Sequence, residues 1–425
     1  MTRPPLQGTQ HRRAQRSGRF RAARGALAVL TALGTLAGAA LVGSAPASAA
    51  PAHGTEVAPG VTYREFDIPA ARGTAHAHVL DVDLSDHRVG TGLLYPGAVG
   101  ARRTVSAMAD GAGAVAGVNG DFFNISEAQH PGVEATGAPV GPAIALGRTL
   151  KAAVPNGQRF GPALPPGTTT EDVLGVGADG RARLDRLALD GRIRARAGRL
   201  PLGGLNQYAL PVGSVGAFTS DWGVTSRVRA TCGTDTDRGA PCSADTHEVT
   251  LRRGRVVARS DVPGSGAIAH GTTVLVGREA GAQWLRKLSV GERVHVRHRL
   301  VAAGSRIPYR FAVGGYPLLR DGAALPGLDD RTSAVRSAAG ISDGGKRLVL
   351  LVLDGAREFR TGLTIAEVAR ALGALGARDG FSLDGGGSST LALRDPGAPA
   401  ATARNHPSDG TERAVANGIG IFSRA

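Results

Sequence analysis

Asp384 ends a short apolar stretch, Gly380-Phe381-Ser382-Leu383, and is followed by Gly385-Gly386-Gly387-Ser388-Ser389-Thr390. Three glycines in succession are costly to order, because each gives up more backbone freedom than any other residue. A segment of this kind suits a place where a ligand touches main-chain N–H groups, which together form an anion-binding concavity that no Cβ obstructs. The carboxylate before it and the hydroxyls after it add acid–base and hydrogen-bonding capacity. Three further segments combine a charged or amide side chain with turn glycine: Asn119-Gly120-Asp121-Phe122-Phe123-Asn124, Arg336-Ser337-Ala338-Ala339-Gly340 and Asp354-Gly355. A fifth, Pro407-Ser408-Asp409-Gly410-Thr411-Glu412-Arg413, precedes a terminal strand, Gly418 to Phe422.

Other chemistries are poorly served. The glycine run lacks the lysine of a P-loop and has no GxGxxG fingerprint. Ser388 is not in a GxSxG elbow. No EF-hand loop or HExxH is present, so a divalent cation at Asp121, beside Asn119 and Asn124, is allowed by ligand type but not required. His76 and His78 share one strand face, where a solvated or substrate-facing pair is expected before a metal pair. Cys232 and Cys242 lack CxxC spacing and read as a disulfide closing the polar loop Gly233 to Pro241.

The elements that must position these groups are clearest in the last quarter. Arg347 to Leu353 is a nearly continuous apolar strand, which argues for burial on both faces. Thr364 to Leu375 is an amphipathic helix with Thr364 and Glu367 as a capping box, an apolar stripe at Ile365, Val368, Ala369, Leu372 and Leu375, and Gly376 at its C-terminal cap. Phe381 to Leu383 is the next strand. A helical crossover joins parallel strands most naturally, which would place Asp354 and Asp384 at carboxyl ends on one sheet edge, where open α/β sheets bind ligands. Upstream, residues 61–94 alternate in strand fashion, Thr104 to Gly111 reads as a short helix and Ala114 to Val118 as a buried strand. Residues 125–170 are rich in Gly and Pro and read as loops over one face.

Residues 1–49 read as a removable signal peptide: a basic stretch without acids, an apolar run from Ala26 to Val42, and small-x-small cleavage sequences at Ala45 to Ala49. Seven of the fifteen net positive charges lie there, leaving +8 on the remainder. Basic residues are almost all arginine, with Lys151, Lys287 and Lys346 the exceptions. That bias reflects a GC-rich genome more than nucleic-acid binding; no RNP-like motif, zinc-finger spacing or basic helix appears. A modest positive field still suits anionic cell-wall polymers. No later apolar run is long enough to span a bilayer.

Taken in order, the motifs resemble those of the phosphodiester glycosidase family, whose namesake activity removes N-acetylglucosamine from a GlcNAc-1-phospho-6-mannose diester. The resemblance covers roughly residues 100–425. It is carried by Val118 to Phe123, Gly314-Gly315-Tyr316-Pro317-Leu318-Leu319 with Asp321-Gly322, Arg336 to Gly340, Leu353-Asp354-Gly355, Leu383 to Ser389 and Pro407 to Arg413. Asp121 stands where members often carry a second glycine, and Ser337 where they carry threonine.

The resemblance implies an exported hydrolase that breaks the anomeric C–O bond of a sugar 1-phosphodiester, on cell-wall glycopolymer or exopolysaccharide. Arg336 and the Gly385, Gly386 and Gly387 amides would clamp phosphate. Asp384 and Asp354 would be the catalytic carboxylates. Asn119, Asp121, Ser388, Ser389, Glu412 and Arg413 would contact substrate. A non-catalytic envelope protein binding phosphorylated glycans is the competing reading. The expected architecture is α+β: a two-layer catalytic domain over residues 101–425 with a central sheet and helical crossovers, an N-terminal β region at 50–100, and a β-rich insertion or subdomain at 171–305. Both functional readings need Arg336 and the glycine nest, only the hydrolase needs a correctly placed carboxylate, and the proposal as a whole requires Asn119, Arg336, Asp354 and Asp384 to converge.

Overall fold

The apolar run in the last quarter of the sequence forms the middle of the largest sheet. In the computed structural model, which describes residues 54–424, the strand Arg347–Leu353 is buried from Leu348 onward, as an unbroken apolar strand must be. It lies in an eight-stranded sheet ordered Thr55–Ala58, Val61–Ala70, Gly73–Asp83, Arg347–Leu353, Ser337–Ser342, Asp379–Ser382, Tyr316–Arg320, Ala323–Ala324. Residues 1–49, with the expected signal peptide, lie outside the described residues.

Helix Ile365–Ala374 begins as its sequence dictates. Thr364 accepts the Glu367 N–H at 3.1 Å, and Glu367 Oε2 accepts the Thr364 N–H at 2.7 Å. Ile365, Val368, Ala369 and Leu372 are buried. Leu375 is the C-terminal cap, and Gly376, at φ +87°, turns the chain away one residue later.

The crossover runs between strands of the same direction, but they are not neighbours. Ser337–Ser342 lies between Arg347–Leu353 and Asp379–Ser382, antiparallel to both. The parallel pairing expected from the helix is replaced by an antiparallel sheet, because the chain places a third strand in the gap. The rim survives this change. Leu353 N–H donates to Arg336 O at 2.9 Å and Leu383 N–H to Ser337 O at 3.0 Å, so Asp354 and Asp384 flank Arg336 on one edge. Two strand spacings, about 10 Å, separate their backbones.

A second sheet, Thr402–Ala403, Leu391–Leu393, Ala116–Asn119, Gly418–Ser423, Val89–Leu94, shares one core with the first: Val79, Leu350 and Val352 belong with Val118, Ile419 and Ile421. Two strands of the N-terminal β region at 50–100 pair with strands from the last quarter of the chain. Gly73–Asp83 pairs with Arg347–Leu353, and Val89–Leu94 with Gly418–Ser423. The span 171–305, expected as an insertion or subdomain, joins the rest of the fold through its first strands. Asp172–Gly177 pairs with Tyr309–Gly314, and Ala182–Ala195 extends the same seven-stranded sheet. Within that span, Gly204–Leu205, Val215–Phe218, Thr272–Arg278, Thr246–Arg252 and Arg255–Ser260 form a sheet of their own. The result is a sheet-rich α+β fold.

Candidate active site

Asp384 follows its strand directly and is anchored through its backbone. Its N–H donates to Gly120 O at 2.8 Å, and its carbonyl accepts Asn119 Nδ2 at 2.7 Å. Asn119 Oδ1 in turn accepts the Ser337 hydroxyl at 2.7 Å and the Thr390 N–H at 3.1 Å. Asn119 is fully buried, so it joins three segments of the site rather than reaching a sugar, and the expected substrate contact is corrected to a positioning role. The convergence needed at Asn119, Arg336 and Asp384 is met by direct hydrogen bonds and packing.

Asp384 retains some exposed area, yet protein crowds it closely. That desolvation pushes its carboxyl up to about 7, against a hydrogen bond from Ser388 and the charge of Arg413; Asp121 adds a further upward push. Arg413 Nη1 lies 3.3 Å from Ser388 Oγ, while Nη2 holds Asp409 at 2.5 Å. Arg336 approaches from the other side, with its stem against Gly385. It donates to Leu363 O at 3.1 Å and Thr332 O at 2.7 Å, and burial lowers its pKa.

The glycine run serves this approach differently from the expected three-amide cradle. Gly386 N–H donates to Val335 O at 2.8 Å, Gly385 N–H supports the Asp384 carboxylate, and Gly386–Ser388 closes a single 3-10 turn. Glycine is needed because a Cβ at Gly387 would overlap Arg413 Nη2 and Asp409 Oδ2, and one at Gly385 would lie 2.7 Å from Val335 O. Gly387→Ala should therefore fold, since only flexible side-chain ends must move, but displace Arg413. Loss of one charge-assisted hydrogen bond implies a rise of about 10- to 100-fold in KM. Steady-state kinetics beside a thermal melt checks this; an unchanged KM contradicts the assignment of Arg413.

Asp121 is buried and faces the same site. Its Oδ2 accepts the Gly141 N–H at 2.6 Å, and its Oδ1 has no hydrogen-bonding partner among the described residues. Its charge neighbour is Lys151, fully buried and bonded to the carbonyls of Val140, Gly141 and Ala152. Burial raises Asp121 to about 6 and lowers Lys151 to about 7, each opposing the other's shift. The Gly141 N–H holds one oxygen of this carboxylate, and Lys151 acts on it by charge.

Asp354 lies on the same rim but is closed off. Oδ1 accepts the Ala356 N–H at 2.6 Å; Oδ2 is 2.9 Å from His406 Nδ1 and 3.2 Å from His78 Nε2. Burial works to raise its pKa, but the hydrogen bonds from His406, Ala356 and His78 outweigh this and hold it below the usual carboxylate range. His78 also meets Tyr63 OH at 2.7 Å, and His76 meets Asp67 at 2.6 Å. The His76/His78 face is thus neither a metal pair nor a solvated one, since His78 is buried against Asp354. Glu412 points elsewhere too, accepting Ser106 N–H at 2.8 Å and Ser106 Oγ at 2.6 Å in the first turn of helix Val105–Ala112, which suits a carboxylate at a helix N-terminus. Ser389 is buried, with its hydroxyl unpartnered among the described residues.

Arg159 was not recognisable in the sequence. Its guanidinium lies 5.1 Å from the Phe122 ring centre and 5.7 Å from that of Tyr316. Burial lowers its pKa, and the charges of Tyr316, Asp121, Tyr208 and Asp384 act against that. A brace built on the Cys232–Cys242 disulfide holds its backbone: Gly157 N–H donates to Asp235 O at 3.0 Å, and Arg238 Nη1 to Arg159 O at 2.7 Å. No local pattern in the Gly/Pro-rich loop marks this arginine. Arg159 and Arg413 thus act by charge on one carboxyl of raised pKa, with Arg336 packed against the adjoining Gly385, an arrangement able to bind a phosphate ester beside a proton acceptor.

Residues 245–422 match the phosphodiester glycosidase family. The match to that glycosidase family takes in Arg336, Asp354, Asp384 and Arg413, while Asn119, Asp121 and Arg159 lie before it. It bears out the resemblance read from the motifs. None of the curated proteins compared matches the chain. Among solved structures, a hypothetical protein from Synechocystis superposes with a TM-score of 0.65 at 19% identity, over 86% of this chain and 62% of that one. The chain therefore spans less than two thirds of that protein. A Burkholderia pseudomallei K96243 protein described as exported superposes at TM-score 0.61 and 24% identity, over 82% of this chain and 74% of that one. These two likenesses establish a shared fold. The zebrafish N-acetylglucosamine-1-phosphodiester alpha-N-acetylglucosaminidase catalytic domain, auto-inhibited by its pro-peptide, gives 0.43 at 15% identity, over 88% and 87% of the two chains.

Proposed function

We propose that the protein hydrolyses a sugar 1-phosphodiester of the GlcNAc-1-phosphodiester type at the anomeric C1–O bond. The observation that carries this reading is Asp384, its carboxyl raised to about 7, with the charges of Arg159 and Arg413 acting on it and Arg336 packed against the next residue, Gly385. The family match supports a glycosidase-type activity over the segment holding Asp384, Arg336 and Arg413.

Bond breaking passes through an oxocarbenium-like transition state. The departing oxygen belongs to a phosphate monoester and leaves with its electron pair without a strong general acid. Preorganised guanidinium groups stabilise the charge that gathers there, and Arg336, oriented by the Leu363 and Thr332 carbonyls, offers its remaining N–H groups to the phosphate. Water adds to C1 and gives its proton to Asp384. Asp354, closed in by His78, His406 and Ala356, shapes the rim and takes no proton. Burial keeps the Asp384 pKa high, and Asp121, with Lys151 behind it, adds a smaller push in the same direction. No step calls for a metal.

Export to the cell envelope fits the basic and apolar N-terminal sequence and the disulfide. No helix among the described residues is long and apolar enough to cross a membrane. Wall glycopolymer or exopolysaccharide is then the accessible substrate.

The test incubates the mature chain with the methyl diester of GlcNAc 1-phosphate and with UDP-GlcNAc. Release of free sugar is expected from at least one, with KM raised about 10- to 100-fold in Arg336→Ala, as for loss of a charged hydrogen bond. Binding without turnover across a panel of such diesters would overturn the enzyme and leave a glycan-binding protein.

A further inference from the structure

A basic face lies far from Asp384, on the seven-stranded sheet. His295–Ala302 pairs with Ala182–Ala195 so that His295 opposes Arg194 and Arg297 opposes Arg192. Gly198–Pro201 pairs on the other edge and brings Arg199 opposite Arg194. Side chains alternate across a strand, and here the alternation sorts them cleanly. Ile193 is buried and Val296 and Leu200 pack with it in the core beneath, while Arg192, Arg194, Arg199, His295 and Arg297 are exposed on the outer face.

Like charges directly opposite one another destabilise a strand pair. This face carries two such cross-strand pairs, Arg192 with Arg297 and Arg194 with Arg199, and His295 adds a further N–H donor opposite Arg194. Arg299, next in the row, is neutralised by Asp190 at 2.8 Å. No carboxylate partner is found for Arg192, Arg194, Arg199 or Arg297 among the described residues. Arg192, Arg194, His295 and Arg297 alone line a cavity of 280 Å³. The cations repeat about 6.7 Å apart along a strand and about 4.8 Å apart across strands, a lattice of donors without acceptors.

The position of this face selects the ligand. Gly314 borders Asp121, Gly314 opposes Val173, and Val173 opposes Asp185. Arg192 lies about 23 Å of strand beyond that level. A small diester held at Asp384 cannot touch it; an extended polyanion can.

We propose that this face is a secondary binding site for a phosphodiester-linked polysaccharide whose chain end is processed at Asp384. The proposal rests on the reading of the Asp384 site for its chemistry, but binding tests it independently. The probe is fluorescently labelled poly(N-acetylglucosamine 1-phosphate), measured by anisotropy with the mature chain at low salt, where exposed charges are least screened. The variant Arg194→Glu/Arg297→Glu places each new carboxylate opposite cations, so its melting temperature should hold or rise. Its affinity for the polymer should fall at least tenfold, and Arg194→Lys/Arg297→Lys should retain most of it. KM for the polymer should rise in parallel, with KM for the methyl diester unmoved.

Polymer affinity within twofold of wild type in the Glu variant would overturn the proposal. So would tighter, equally variant-sensitive binding of a single-stranded oligonucleotide with the same number of phosphates, which would assign the face to nucleic acid. If neither substrate releases sugar but polymer binding is still lost in the Glu variant, the secondary site stands and the hydrolase reading falls.

Discussion

Asp384→Asn should abolish turnover while leaving the fold intact, and should make the protein relatively more stable as pH rises. Removing a positioned proton acceptor lowers kcat on the order of 10²–10⁴-fold. In the parent protein kcat/KM should climb through pH about 7, where the Asp384 carboxyl ionises. The stability effect has a definite sign. With its folded pKa raised above the ordinary carboxylate value, Asp384 favours the native state fully below pH about 4. That contribution is lost as pH rises toward about 7, because the native state must ionise a desolvated group. Asparagine cannot ionise, so stability of the variant minus that of the parent should grow between pH 4 and pH 8 in urea titrations. A flat difference, or a pH–rate profile without the rise near 7, contradicts the role given to Asp384. Loss of activity with gain of stability is the usual trade-off at a strained catalytic group.

Arg229→Met should be the most damaging single change outside the site. Arg229 is fully buried and pairs with Glu127, itself buried and 2.7 Å from His130 Nδ1. Arg229 also donates to Gln158 Oε1 at 3.0 Å and Cys232 O at 3.2 Å, beneath the Tyr208 ring. Breaking one partner of such a pair leaves an uncompensated charge and costs about 3–5 kcal/mol. The damage should reach catalysis, because Gln158 precedes Arg159 and bridges to Asp237 O at 3.2 Å in the disulfide-closed loop. Urea denaturation should show the stability loss, and KM should rise in whatever fraction remains folded. A loss under 1 kcal/mol, or an unchanged KM, would contradict the view that this buried pair braces Arg159.

The legible parts of the molecule are those fixed by local chemistry. The capping box at Thr364 and Glu367, the doubly buried strand Arg347–Leu353 and the Cys232–Cys242 link each follow from spacing and residue type, and each is present. The pieces that fail to follow depend on long-range placement. Nothing in the sequence inserts Ser337–Ser342 between the strands ending near Asp354 and Asp384. Nothing local says that Asn119 and Glu412 turn inward, to Asp384 O and to Ser106. Asp121 looked like a departure from a glycine turn; its buried counter-charge, Lys151, comes from a strand thirty positions on and carries no motif. Arg159 is one arginine among many until the fold lays it over Phe122 and Tyr316.

The central claim is which bond breaks, and isotope labelling reads it directly. Hydrolysis of the methyl diester of GlcNAc 1-phosphate in ¹⁸O-labelled water, with Asp384→Asn as the blank, should place the label on the C1 hydroxyl of the released sugar and leave the phosphate monoester unlabelled. Label in the phosphate would mean attack at phosphorus, and the glycosidase account of the Asp384 site would be wrong.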